Sequence, residues 1–311
     1  MRRKFDSCQG HVRQLLTERY TMKKLSVLTV IIAGLLSAIP ATSHAATPTI
    51  AIIDTAIDSS LIPQVTYEAC FTSNRSCPNG TSYQEGKGSA NINPAGWNLA
   101  GVDHGTQVVE TALLANKNVN IVFIRLTDFT AATKNYGAYT HNDGGSLDNA
   151  IQWLAQNASK YNISAVSISQ ERHNFAKGTC PTDNVFSSSV QSLKNLNVPV
   201  LAGAGNDAVM DFVGFPACIQ DVLAVGASSI QGQAYYFSNL GQGVDLMSIG
   251  RVNVTMPNGV VTPVMGTSIA TPYAAALWVS RFTGSFQNQI SQIAKLPVAK
   301  DGFKNAYPFI Y

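Results

Sequence analysis

A serine hydroxyl attacks a carbonyl at neutral pH only when a neighbouring base takes its proton. Ser268, in the stretch MGTSIATPY (residues 265–273), stands at the mouth of an apolar helical run that continues AAALWVSRF. Serine beside a helix start commonly caps it, so this stretch alone supports either a cap or a nucleophile. Three other polar residues occupy comparable places. Asp54 closes the apolar run TIAIID, His104 immediately precedes the helical run GTQVVETALL, and Asn206 follows VPVLAGAG in a Gly-rich turn. Each has an ordinary structural explanation when taken singly: a turn or helix cap for Asp54, a hydrogen-bonded structural imidazole for His104, a turn residue for Asn206. Their order is more informative, because Asp, His, Ser along the chain is one of the orders in which an orienting carboxylate, a base and a nucleophile recur. The chemistry would be acyl transfer. His104 would take the Ser268 proton and pass it to the leaving amine, while Asp54 held the ring in the right tautomer. The Asn206 side-chain amide and the Ser268 backbone N–H would stabilise the oxyanion. Gly266 would let the backbone approach closely, and Pro272 falls near the helix start, where a missing N–H costs least.

Such residues need a frame that brings them together. Short apolar runs predict strands at Thr49 to Asp54, Asn120 to Leu126, Ser164 to Ser169, Val198 to Ala204, Asp221 to Ala227 and Gly243 to Ile249. Helical spacing occurs over Gly105 to Leu114, Ser146 to Lys160 and Val185 to Leu196. Strands that are apolar throughout, alternating with helices, predict an α/β fold whose mostly parallel sheet is covered on both faces. Sites in such sheets lie beyond the carboxyl ends of the strands, where Asp54 and Asn206 stand. No internal repeat or linker divides the chain.

Residues 1–45 read as an N-terminal extension followed by a secretory signal: Lys23-Lys24, an apolar run ending before Pro40, and small residues up to a cleavage point after Ala45. Met22 is then a candidate start, and Cys8 is lost with the leader. The whole chain has 21 Lys and Arg against 18 Asp and Glu, but residues 46–311 keep 14 against 16, a balance near −2. No basic block remains, which argues against nucleic-acid partners and a membrane-surface role, and the apolar run is too short for membrane insertion after signal cleavage. Four cysteines in an exported chain imply two disulfides. The short, turn-rich segment around FTSNRSCPNG favours Cys70 with Cys77, leaving Cys180 with Cys218. A zinc site lacks any CxxC or nearby His. The run Gly203 to Ala208 fits G-x-G-x-x-A, but VMDFVGFPAC is turn-like and opens no helix as a dinucleotide fingerprint requires. No cofactor and no metal are expected.

The four segments together resemble the motifs of the subtilisin-like serine peptidases: IAIIDTAID the aspartate motif, DHGTQVVE the histidine motif, GAGND the oxyanion motif and GTSIATPYAAA the serine motif. The resemblance implies a subtilisin-like three-layer fold over residues 46–311 and a secreted or periplasmic serine endopeptidase acting on protein or peptide substrates. It implies Asp54, His104 and Ser268 as catalytic residues and Asn206 as the oxyanion donor. Ser169, Gln170, Glu171, Gly203, Ala204 and Gly205 are then the substrate-binding residues, with a pocket for a large apolar side chain and a preference for a basic residue near Glu171. The chain departs from the family pattern at Ala56, Gln107 and Glu110, where Gly, His and Gly are usual. It departs most at Gln170, Glu171 and Arg172, which replace Leu-Gly-Gly after Ser169. No prosegment fits between Ala45 and Pro48, and no acidic cluster spells a calcium loop. The alternative is a weakly active or inactive protein of the same fold whose altered SISQERHN edge binds a peptide. Oligomeric state is left open.

Overall fold

All six residues of Thr49–Asp54 are buried, because this strand lies between two cores. Ile50 and Ile52 face one and Ala51 and Ile53 the other, as the two-residue period of a strand requires. The computed structural model describes residues 47–73, 75–91, 103–129, 139–140, 145–180 and 184–311. The predicted leader, with Cys8, Met22 and the cleavage point after Ala45, lies outside the described residues.

In chain order the described strands begin with β1 (Thr49–Asp54), β2 (Val65–Phe71), β3 (Tyr83–Glu85), β4 (Asn120–Arg125), β5 (Asp128–Phe129) and β6 (Tyr139–Thr140). They continue with β7 (Ile163–Ile168), β8 (Arg172–Ala176), β9 (Val200–Gly203), β10 (Phe212–Phe215) and β11 (Val222–Ser228). The last are β12 (Leu246–Ile249), β13 (Arg251–Thr255), β14 (Val261–Met265), β15 (Val298–Lys300) and β16 (Ala306–Ile310). The helices are α1 (His104–Ala115), α2 (Gly145–Asn157), α3 (Asn184–Asn195), α4 (Thr267–Arg281) and α5 (Phe286–Ile293).

The main sheet runs β15-β16-β12-β11-β9-β7-β1-β4-β2-β3. All neighbours from β16 to β2 are parallel, and the antiparallel β15 and β3 close the two edges. Residues of α1 and α4 share a core with Ile50, Ile52 and Phe123, while α2 and α3 share the opposite one with Ala51, Ile53 and Val166. The predicted mixed α/β architecture, a mostly parallel sheet with helices on both faces, is the one observed.

Element boundaries differ by a few residues where turns intervene. The predicted strand from Gly243 begins only at Leu246, because Val244 N–H closes a turn on Gly241 and the Asp245 carboxylate accepts from Ala224 N–H and Lys177. The predicted helix to Lys160 stops at Asn157, and the turn after it passes through Asn162 in the left-handed region (φ 51°).

Two disulfides close, with Cα separations of 5.9 Å for Cys70–Cys77 and 5.7 Å for Cys180–Cys218, the pairing expected. The first loop is further held by Arg125 at the end of β4. Its buried guanidinium donates to the carbonyls of Ser76, Asn91 and Thr127.

Candidate active site

Strands β9, β7 and β1 are neighbours in the sheet, so the residues that follow their carboxyl ends lie side by side. Asp54 ends β1, Ser169 to Glu171 follow β7, and Gly203 to Asn206 end or follow β9. Across this edge stand the first turns of α1 and α4; the two helices pack on each other and are tied at the far end of α1 by Asn116 Nδ2 donating to the Ala276 carbonyl at 3.1 Å.

Asp54 is fully buried, and its Oδ1 accepts from the Thr55 N–H at 2.7 Å and stands 2.8 Å from His104 Nδ1. The other ring nitrogen, Nε2, is 3.0 Å from Ser268 Oγ. With Nδ1–H donating to Asp54 in a hydrogen bond, Nε2 is free to accept from the hydroxyl. Burial disfavours the charged imidazole, but the Asp54 carboxylate, by charge and hydrogen bond, and Asp103 outweigh it and raise the His104 pKa above its usual 6.5. A ring so placed holds an added proton more readily than a free imidazole does.

Gly105 makes the short Asp54–His104 contact possible. A Cβ there would lie 2.2 Å from the Ala56 carbonyl oxygen and 2.7 Å from Phe123 Cζ, so only glycine lets α1 start this close to the end of β1. Its N–H donates to Thr55 Oγ1 at 2.9 Å, capping the helix from the residue that follows β1.

Ser268 is the second residue of α4 and caps nothing; the N-cap is Gly266, at φ 151° and ψ 166°, a conformation essentially confined to glycine. Asn206 supplies the missing cap from outside the helix, its Oδ1 accepting from Thr267 N–H at 2.9 Å. The N–H groups of Ile269 and Ala270 both reach the Gly266 carbonyl. Ser268 N–H is therefore left without an acceptor among the described residues, beside its own Oγ and at the positive end of the helix.

Pro272 corrects an expectation. It is the sixth residue of α4, not part of the first turn, so it does remove a helical hydrogen bond. The carbonyl it leaves free is that of Ser268, and Ser169 Oγ donates to it at 2.8 Å. Ser169 thus braces the backbone of Ser268, a contact no local pattern signals.

The remaining predicted substrate-binding residues divide. Ala204 is buried, its N–H bonded to Val225 and its carbonyl to Gly214 N–H and Asn239 Nδ2. Gly203 faces the start of α4, with Thr267 Oγ1 3.2 Å from where a Cβ would stand. Gln170 is half-buried and makes no side-chain hydrogen bond to the others among the described residues. Glu171 comes closest to the chemistry: its Oε1 accepts from the Asn206 N–H at 3.2 Å and from Asn206 Nδ2 at 3.4 Å. Beyond this point β8 pairs antiparallel with β10, so the chain after Glu171 is already hydrogen-bonded to its own neighbour.

The model of the Subtilase family matches residues 45–292. Among curated proteins the chain is similar to alkaline elastase YaB of Bacillus sp. (strain YaB), 27% identical over 193 residues, 61% of this chain and 48% of the relative. It is also similar to Subtilisin Savinase of Lederbergia lenta, 26% identical over 211 residues, 67% of this chain and 74% of the relative. The chain thus spans about half the length of the former and about three quarters of the latter. Among solved structures it resembles a protease from Pseudoalteromonas arctica, with a TM-score of 0.62 and 17% identity, covering 82% of this chain and 85% of that one. A family match over most of the chain, on a sheet of the same architecture, makes the assignment plain: the chain belongs to the subtilase family.

Proposed function

We propose that the protein is an exported serine endopeptidase that hydrolyses peptide bonds through Ser268, His104 and Asp54. The observation that carries this reading is the relay of hydroxyl, imidazole and buried carboxylate at 3.0 and 2.8 Å, with the unengaged Ser268 N–H beside it. In the first half-reaction Ser268 Oγ bonds to the peptide carbonyl carbon as its proton passes to His104 Nε2. The oxyanion that forms is met by the Ser268 N–H and the Asn206 amide. Collapse breaks the C–N bond, and the imidazolium gives its proton to the leaving amine. Water then attacks the acyl-enzyme, its proton going to His104, and the new acid leaves as Ser268 regains its hydrogen. Asp54 stabilises the imidazolium throughout without itself taking the proton.

Export follows from residues 1–45 read as extension and signal, with 46–311 as the peptidase domain. The two disulfides fit an oxidising compartment. Protein or peptide substrates follow from the family.

The competing reading is a peptide-binding protein with an idle site, favoured by the Asn206 amide being held by Glu171. A fluorophosphonate probe separates the two. Residues 46–311 should be labelled at Ser268 and should digest casein, and Ser268→Ala, His104→Ala and Asp54→Asn should each lower turnover by about three to six orders of magnitude, with double variants no worse than the worst single one. A folded wild-type chain that neither labels nor digests would establish the binding reading instead.

A further inference from the structure

Glu171 leaves a carboxylate short of positive charge beside Asn206. Its Oε2 is shielded from solvent and has no hydrogen-bond partner among the described residues. A Cβ on Gly205 would stand 3.1 Å from that oxygen, and one on Gly214 would stand 3.3 Å from it and 3.1 Å from Glu171 Cβ. Two walls without side chains therefore leave the space that the carboxylate occupies. The described ion pairs join His104 to Asp54, Lys177 to Asp245 and Lys194 to Asp221, and none includes Glu171. Burial first, and the charge of Asp207 next to it, raise the Glu171 pKa to about 7 against the lowering effect of the two Asn206 donors. A half-buried anion with one oxygen shielded and unpaired is stabilised by any cation that can reach it.

What can reach it is set by Asn206. Its Oδ1 is fixed on Thr267 N–H, next to Ser268, and its Nδ2 is turned to Glu171 Oε1. A peptide carbonyl attacked by Ser268 Oγ, with its oxygen toward Ser268 N–H and Asn206 Nδ2, would set its own residue beside Asn206 and so within side-chain reach of the Glu171 carboxylate that Asn206 holds. We propose that Glu171 is a specificity-determining residue that pairs with a Lys or Arg side chain on the residue whose carbonyl is attacked, and that this pairing releases the Asn206 amide to the oxyanion. The inference rests on the serine-peptidase reading above and replaces the large apolar side chain expected from the family pattern. A neutral side chain leaves Glu171 on Asn206 and one oxyanion donor engaged. Selection consequently acts on kcat more than on KM, because the released amide matters only in the transition state.

Four peptide anilides differing only in the residue before the scissile bond (Arg, Lys, norleucine or Phe) test this on residues 46–311. Norleucine matters most, since it keeps the straight aliphatic stem and removes the charge. The wild type should favour Arg and Lys over norleucine by about a hundredfold in kcat/KM, mostly in kcat. Glu171→Gln, which keeps shape and loses charge, should reduce that ratio to tenfold or less, roughly the range left to apolar contacts. Glu171→Asp should retain part of it, and serves if the Gln variant folds poorly by circular dichroism. A flat wild-type profile, or an unchanged ratio in Glu171→Gln, overturns the role of Glu171. Fluorophosphonate labelling of Ser268 alongside a flat profile refutes this inference alone, whereas absence of labelling in the folded wild type removes the peptidase reading and this inference with it.

Discussion

Changing Gly105 to Ala adds one methyl group and tests whether helix-to-strand packing sets the geometry of the site. The new Cβ would lie 2.2 Å from the Ala56 carbonyl oxygen and 2.7 Å from Phe123 Cζ, whereas real Cβ contacts below 3.0 Å are essentially never seen. The first of these is backbone just beyond β1 and the second a fully buried ring on β4, so neither can retreat, and α1 must move by roughly 1 Å to relieve the clash. His104 is the first residue of α1 and moves with it. Its 2.8 Å contact with Asp54 would open by up to about 1 Å, at the limit past the length of a hydrogen bond. The helix cap from Thr55 Oγ1 would open with it. Misplacement of about 1 Å is worth roughly 10²-fold in rate, and the overpacking costs about 1–3 kcal/mol of stability. Anilide hydrolysis should therefore show a hundredfold lower kcat/KM, with slower fluorophosphonate labelling and a lower Tm. Gly302→Ala is the control, since nothing lies within 4 Å of a Cβ there. If Gly105→Ala labels at the wild-type rate with an unchanged Tm, close packing of α1 on β1 does not hold the Asp54–His104 contact.

Asn206→Leu should lower kcat about 10²–10³-fold and should also lower Tm, since the cap on Thr267 is worth about 1 kcal/mol; a loss of stability with normal kcat would leave Asn206 as a cap only. Closing 38 residues between Cys180 and Cys218 is worth about 4 kcal/mol in the chain-entropy model, and closing seven between Cys70 and Cys77 about 2.4. Urea denaturation of the two double Cys→Ser variants should reproduce that order, and the reverse order would show that loop length does not govern their contribution. Glu171 has its folded pKa at about 7 against an unfolded value of 4.5, so between those limits the folded state holds more of the proton and stability falls as pH rises. The Tm of Glu171→Gln relative to wild type should accordingly rise from pH 4 to pH 8, and a constant difference would show that Glu171 is not buried as an anion.

The sequence by itself determined the parts of this protein whose signals are local. Thr49–Asp54 is a continuous apolar run, so its burial on both faces and the place of Asp54 at its end were readable. The same holds for His104 at a helix start and for Ser268 near a glycine and an apolar helix, and the short turn-rich segment between Cys70 and Cys77 favoured one of the three possible pairings. The order of the motifs then joined three residues separated by 50 and 164 positions. Tertiary structure decided what no window of sequence contains. The approach of α1 to β1 depends on Gly105 against Ala56 and Phe123; the brace from Ser169 exists because Pro272 frees the Ser268 carbonyl. Glu171 looked like a substitution on a strand edge, and became a half-buried carboxylate holding the Asn206 amide only once β8 had paired with β10 and brought Gly214 against it. Periodicity and cap residues act through neighbours three or four positions apart. Distances between these side chains are fixed by close packing between elements far apart in the chain, which leaves no trace in local pattern.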